Sequence, residues 1–370
     1  MEQDVRQTKT LKETDRKCPN CGAAMQFDPF RNGLSCAYCG YFEEIPIETN
    51  EKGAGKSAEE LDLFSESNTE GYDWGTKSKV IICKSCGAES IYDELQIADV
   101  CPYCGSNQVM EASEDLKTLA PGGVVPFRID EKKAGGLFTQ WIKKRFFCPR
   151  KAKQSAKPEA FKGVYLPYWT YDARTTTKYT ARYGIDSERE GEDGKKERHT
   201  EWYFTGGVQK KDFDDVLVLG SKRYETDLMH RIEPFDTANN LQYQPKFLQG
   251  FTAERYSVGL KDGWETAKDK MKDEIESDIR REIERRFHAD HVENIVSSTQ
   301  YADTTYKYLL LPVWMSAFKY KDKIYRFLVN GQSGKVGGKT PVSAIRVILV
   351  IAAVIAAIVG LVFLFKACGK

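Results

Sequence analysis

The longest regular pattern in the chain runs from Gly263 to about Val296. Trp264, Ala267, Met271, Ile275, Ile279, Ile283 and Phe287 recur every three or four residues, and most positions between them are charged. That is one apolar stripe on a charged cylinder, and it predicts a long amphipathic helix with a single buried face. Opposite charges close enough to pair along the helix support it. A second helix is predicted over 131–147, with Leu137, Trp141 and Phe146 inward, Lys143, Lys144 and Arg145 outward, and Pro149 as its stop. Cys148, beside Phe147, reads as core.

Two segments, Tyr171–Tyr183 and Ser316–Val329, alternate in the manner of half-buried strands. Each follows a Leu-Pro-x-Trp signature: Leu166-Pro167-Tyr168-Trp169 and Leu311-Pro312-Val313-Trp314. Proline forfeits no ladder bond at the first residue of a strand, so both signatures are expected at strand starts, with the tryptophans in the core. Gly122–Ile129 reads as the opening strand of this body. Tyr203–Thr205 and Val216–Leu219 supply further strands, and the charged run Asp186–His199 is the tip of a long hairpin. Ile324–Val329 and Val336 pair across a turn signalled by Asn330-Gly331.

Val347–Phe365 is an unbroken apolar run. As a helix it is roughly 28 Å long, close to the thickness of a bilayer's hydrocarbon core. Basic residues flank it (Lys335, Lys339, Arg346, Lys366 and Lys370), so the expectation is one transmembrane helix at 345–366 that anchors the chain in a lipid bilayer, with the N-terminal domains in the cytoplasm.

The chain has 370 residues, enough for two or three domains, and its net charge of +1 argues against a dedicated nucleic-acid binder. Its polar start lacks the apolar segment of a signal peptide, which implies a reducing compartment for the cysteines. Residues 1–17 read as a disordered lead, and 46–78 as a flexible linker in which Trp74 is expected to pack on the following ribbon. Gly334-Lys335 is no phosphate loop, because Val329 stands where the first glycine belongs and neither Ser nor Thr follows Lys335. His288 and His291 have no third ligand and read as surface residues. The basic cluster between 143 and 157 reads as a solvated helix face.

The cysteines carry the chemistry. Cys18, Cys21, Cys36 and Cys39 have the form C-x2-C-x14-C-x2-C, and Cys83, Cys86, Cys101 and Cys104 repeat it 65 positions later. Two Cys separated by two residues fit on one tight turn and offer both sulfurs to one ion, and the Gly after each pair (Gly22, Gly40, Gly87, Gly105) lets the backbone close on the metal. Four thiolates around Zn²⁺ complete a tetrahedron with no place left for water, which is a structural rather than a catalytic site. The reading is two zinc ions, one per quartet, with rubredoxin-like iron as an alternative for the same ligands. The first ribbon spans 18–45, with strands at Met25-Gln26-Phe27 and Leu34-Ser35 joined by a turn at Asp28–Gly33. The second spans 79–112 and opens with a strand at Val80-Ile81-Ile82. The predicted architecture is therefore multidomain: two small four-cysteine zinc ribbons, an α+β domain at 118–338 with mainly antiparallel strands and the long amphipathic helix, and one C-terminal transmembrane helix.

The twin quartets, the two Leu-Pro-x-Trp signatures, the hairpin FLVNGQSGKVGG and the terminal apolar run together resemble a bacterial family of membrane-anchored double zinc-ribbon proteins. Members have been labelled TFIIB-type zinc-ribbon or primosomal helicase-like, and some lie beside phage-shock-type membrane-stress components. The resemblance implies a non-catalytic adaptor that recruits cytosolic or membrane-associated protein partners to the membrane. On this reading the ribbons reach away from the body on a flexible tether. A membrane-tethered nucleic-acid binder is the alternative. It is disfavoured because 79–110 holds Lys79 and Lys84 against Glu89, Asp93, Glu94 and Asp99, whereas phosphate binding needs clustered cations. No motif groups a nucleophile with a base or pairs carboxylates, so no catalytic residue is assigned.

Overall fold

A computed structural model describes residues 17–28, 30–46, 57–65, 78–84, 89–93, 101, 109–111, 119–155, 161–190, 196–224, 226–321 and 323–368. Strands β1 (Met25–Asp28), β2 (Gly33–Cys36) and β3 (Phe42–Glu44) form a small sheet of their own. The short strands β4 (Leu61–Asp62), β5 (Ser78–Cys83), β6 (Glu89–Asp93), β7 (Val109–Glu111) and β8 (Gly123–Val124) lead into the body. The body comprises helices α1 (Glu131–Lys143) and α2 (Arg150–Ser155), strands β9 (Lys162–Glu190) and β10 (Lys196–Leu219), helix α3 (Thr226–His230), and strands β11 (Leu241–Gln242) and β12 (Thr252–Glu254). Helix α4 (Leu260–Phe287), strands β13 (His291–Tyr320), β14 (Lys323–Asn330) and β15 (Val336–Gly338), and helix α5 (Ala344–Cys368) complete it. One large sheet has the order β11-β8-β13-β9-β12-β6-β5-β7, with β10 also on β9, β14 on β13, and β15 on β14.

The two Leu-Pro-x-Trp signatures mark a duplicated unit, strand–helix–strand–strand. The first copy is β8, α1, β9 and β10; the second is β12, α4, β13 and β14. Their first strands are exchanged. Gly123 and Val124 of β8 lie parallel to Leu309 and Leu310 of β13, and Thr252 and Ala253 of β12 lie parallel to Val164 and Tyr165 of β9. β9 and β13 run antiparallel with Leu166 opposite Leu311, so equivalent residues of the two signatures meet on a local two-fold axis. The exchange is reciprocal in its hydrogen bonds. Arg128 and Ile129 N–H donate to Gly331 O, and Ser257 and Val258 N–H donate to Gly220 O. The Trp314 indole donates to Ile129 O at 2.7 Å, just before α1, and the Trp169 indole donates to Val258 O at 2.9 Å, just before α4.

Neither proline begins a strand. Pro167 faces Leu310, and Pro312 faces Tyr165, deep inside β9 and β13. Each is tolerated because an outer neighbour leaves the sheet beside it. The Pro167 carbonyl accepts from Gly220 N, just past the end of β10, and the Pro312 carbonyl accepts from Gly331 N, just past the end of β14. A residue's N and C=O point to the same side of a strand. The missing N–H therefore faces a gap in the ladder rather than a partner.

Burial explains the two sequence patterns along β9. From Val164 to Tyr171 it is buried on both faces and reads as an apolar run, whereas from Tyr171 to Ala181 only alternate residues are buried, beneath α4. The stripe Trp264, Ala267, Met271, Ile275, Ile279 and Ile283 is buried as expected. The helix stops earlier than the pattern suggests, at a left-handed His288 (φ 50°), and His291–Val296 open β13. Helix α1 likewise ends at Lys143. It buries Phe138 and Ile142 most deeply, Leu137 and Trp141 pack partly buried against the core, and Phe146 is exposed rather than inward. Cys148 is core. Tyr203–Thr205 and Val216–Leu219 belong to one strand, β10, and the alternating run Ser316–Val329 is split between β13 and β14. β14 and β15 form the expected hairpin across Asn330–Lys335.

Several larger expectations are corrected. Of the described residues 43% are strand and 27% helix, in a curled sheet, so the chain is mostly β rather than an α+β domain with mainly antiparallel strands beside two tethered ribbons. The second ribbon's β6 pairs with β12, Ser90 opposite Glu254 and Ile91 opposite Ala253, so its strands extend the main sheet. Part of the expected linker is docked: Ala58 and Leu63 are buried, and β4 pairs with Thr305 and Tyr306 of β13. Trp74 and residues 1–16 lie outside the described residues. The C-terminal apolar run is helical, as α5, but among the described residues no helix is long and apolar enough to cross a membrane. The transmembrane helix at 345–366 and the membrane contact inferred from it are therefore not supported.

Candidate metal centre

The first quartet assembles. Each knuckle is built the same way. Cys18 N–H donates to Ala23 O (2.7 Å) while Gly22 N–H donates to Cys18 O (2.8 Å). Cys36 N–H donates to Tyr41 O (2.9 Å) while Gly40 N–H donates to Cys36 O (3.0 Å). Gly22 and Gly40 both have φ +74°, a conformation that costs glycine nothing and that a Cβ would strain. The β1–β2 hairpin, with Met25 opposite Cys36, brings the second knuckle over the first.

The four sulfurs lie within 4.8 Å of one another, with Cys18 and Cys39 at 3.4 Å and Cys21 and Cys36 at 3.5 Å. A tetrahedron of Zn–S bonds near 2.3 Å has an edge of about 3.8 Å, so the donor set fits one such ion. Cys18 and Cys36 are buried, and Cys21 and Cys39 face solvent. The Tyr41 N–H pulls the Cys39 thiol down to about 6, and the N–H groups of Cys39 and Tyr38 lower Cys36. Cys21 is pushed up to about 12: the Ala23 N–H favours its thiolate, but hydrogen bonding with the Cys36 sulfur, desolvation within the cluster and hydrogen bonding with the Cys39 and Cys18 sulfurs outweigh it. A cation completes such a cluster by letting all four sulfurs ionise together.

The ribbon is fixed to the body. Phe27 N–H donates to Gln249 O at 3.0 Å, and the Phe27 ring meets Phe247 and Phe251 edge-on. Lys246 reaches Glu43 at 2.5 Å, and the Gln244 amide donates to Pro46 O at 3.0 Å. The knuckles were legible from Cys and Gly spacing. This docking was not, because Phe27 reads equally well as the ribbon's own core.

In the second quartet Cys83 closes β5, and Cys83 and Cys101 are buried, whereas Cys86 and Cys104 lie outside the described residues. No sequence motif pointed to a carboxylate cluster at Asp172, Asp214 and Asp215. There the chain supplies its own cation: Lys307 Nζ lies 2.8 Å from Asp215, and Asp172 accepts from Asp215 N–H and the Thr305 hydroxyl. His291 pairs with Asp186 at 3.0 Å, away from His288, which caps α4. In the basic cluster Arg145 stacks on Trp141 and Lys153 donates to Lys143 O.

No protein-family model matches the sequence. No solved structure matches it. The chain is 30% identical over 337 residues to the uncharacterized protein YdjG of Bacillus subtilis (strain 168), an alignment covering 88% of this chain and 90% of that protein. By that likeness, which extends over most of both chains, the chain belongs to the family of Bacillus subtilis YdjG.

Proposed function

We propose that the chain is a non-catalytic zinc-ribbon adaptor: Cys18, Cys21, Cys36 and Cys39 hold a structural Zn²⁺, and the ribbon they fold presents a surface to cytosolic protein partners. The closed four-sulfur cluster carries this reading, since a thiolate in every position leaves none for substrate or water. Exposed aromatic side chains on the ribbon support the partner surface. Tyr38, between the second pair of ligands, is 86% exposed, and Phe30, on the hairpin turn, is 64% exposed. Exposed aromatics of this kind anchor protein interfaces. A second zinc on Cys83, Cys86, Cys101 and Cys104 belongs to the same reading. Its first and third cysteines are buried, as Cys18 and Cys36 are.

The test combines metal analysis with cross-linked pull-down. Purified wild-type chain should carry zinc at both quartets, and Cys18→Ser with Cys21→Ser should remove one equivalent. Tyr38→Ser with Phe30→Ser should keep the zinc and lose the partners. Partners retained by that variant would remove the ribbon surface from the account, and partners lost on nuclease treatment would move the reading to nucleic acid.

A further inference from the structure

β10 has 24 residues and bonds β9 on one side; among the described residues no strand pairs with its other side. Edge strands are usually short, charged or covered, because their free N–H and C=O groups template pairing. The middle of β10, Trp202-Tyr203-Phe204-Thr205-Gly206-Gly207-Val208-Gln209, carries no charge. Phe204 is 85% exposed and Val208 58%.

The hydrogen-bond pattern fixes which groups are free. Gly220 N–H bonds Pro167 O, and Asp290 N–H bonds Gly184 O, so odd-numbered residues of β9 point their backbone at β10 and even-numbered ones at β13. Tyr203 is opposite Tyr183 and Thr205 opposite Ala181, so before the irregularity at Phe213/Val216 the even-numbered residues of β10 point theirs outward. An added antiparallel strand must match this parity.

We propose that a second copy of this chain pairs with β10, strand to strand and antiparallel, about a two-fold axis at Thr205. In that register the bulky half of the octet meets the small half: Trp202 faces Val208, Tyr203 faces Gly207 and Phe204 faces Gly206. Arg198, which also pairs with Asp186 of its own chain at 2.6 Å, faces Asp212, once on each side of the axis. Moving the axis to Phe204 opposes Arg198 to Lys210 but sets Glu197 against Lys211 and Lys196 against Asp212. It also places Phe204 against its own copy and Trp202 against Gly206, so bulk rather than charge distinguishes the registers. This complementarity of β10 with itself in bulk, together with the Arg198–Asp212 pair, favours a second copy over a foreign strand. The edge is built from β10 alone, with no metal ligand in it, and the proposal does not depend on zinc.

Sedimentation equilibrium of the full chain tests it. Wild type should dimerise. Asp212→Arg should raise the dissociation constant by roughly tenfold or more, since it opposes Arg198 twice per dimer, with an unchanged far-UV spectrum. Arg198→Asp with Asp212→Arg should restore dimerisation. Thr205→Cys should form a dimer-sized disulfide band that wild type lacks, because residues paired without hydrogen bonds have Cα atoms about 4.5 Å apart, within disulfide reach. A monomeric wild type, a dimer indifferent to both charge variants, or capture of a foreign extended peptide in place of a second copy overturns the proposal.

Discussion

The two copies of the duplicated unit share a frame and differ in reach. In the first, α1 has 13 residues and packs on the doubly buried end of the sheet; in the second, α4 has 28 residues. The hairpins differ the other way, with β10 at 24 residues and β14 at 8. These differences have one cause. β9 and β13 both run past the frame in the same direction, β10 follows them, and α4 covers one face of the resulting arm. A 28-residue helix is about 42 Å long, close to the ~46 Å spanned by β9 from Tyr171 to Gly184. Duplication thus set the frame, and one-sided extension made an arm whose outer face and edge no other element covers among the described residues.

The comparison breaks most directly at the paired tryptophans. Trp169→Ala and Trp314→Ala each remove a buried ring and its indole bond to the other copy, and each should cost about 3–5 kcal/mol in denaturant unfolding. A loss at one site less than half that at the other would make the two copies alike in shape but not in energy. The paired glycines sharpen it. A Cβ at Gly331 meets the Phe127 ring at 2.6 Å and Pro312 Cβ at 2.8 Å, so Gly331→Ala should cost about 1–3 kcal/mol. At Gly220 the nearest atom is Pro167 O at 3.0 Å, and Gly220→Ala should cost less, measured in the same way.

The smallest effect belongs to the arm alone. The Lys211 ammonium donates to Asp278 and Glu274, and with Arg281 it holds the Asp278 carboxyl below its ordinary 3.8. A carboxyl lowered in the folded state adds stability that is complete above 3.8 and is lost as pH falls through the depressed value. Lys211→Met should therefore flatten the acid limb of the stability–pH curve below about pH 4, by under ~1 kcal/mol because the pair is partly solvated. An unchanged acid limb would mean that Arg281 alone sets the titration.

The same contrast separates what was legible from what was not. The α4 stripe from Trp264 to Ile283 is a local periodicity, and it survives folding unchanged. The body's repeat shows in sequence at Leu166-Pro167 and Leu311-Pro312 with their tryptophans, and at Gly220 and Gly331. Its other equivalent positions, Gly123 with Thr252 or Val124 with Ala253, share backbone geometry rather than side-chain type. The prolines misled because a strand's neighbours, and so the gap that accepts a proline, are set by residues far away in the chain.

By itself the sequence determined the elements whose physics is local: the amphipathic face of α4, the Asn330-Gly331 turn, and the Cys-x2-Cys-Gly knuckles of the first quartet. Only the tertiary structure decided which strands exchange between the two units, that the first ribbon is seated on the body through Phe27 rather than tethered, and that among the described residues β10 is left as an open edge. Those outcomes rest on hydrogen bonds and contacts between residues many positions apart, and no periodicity within a segment records its distant partner.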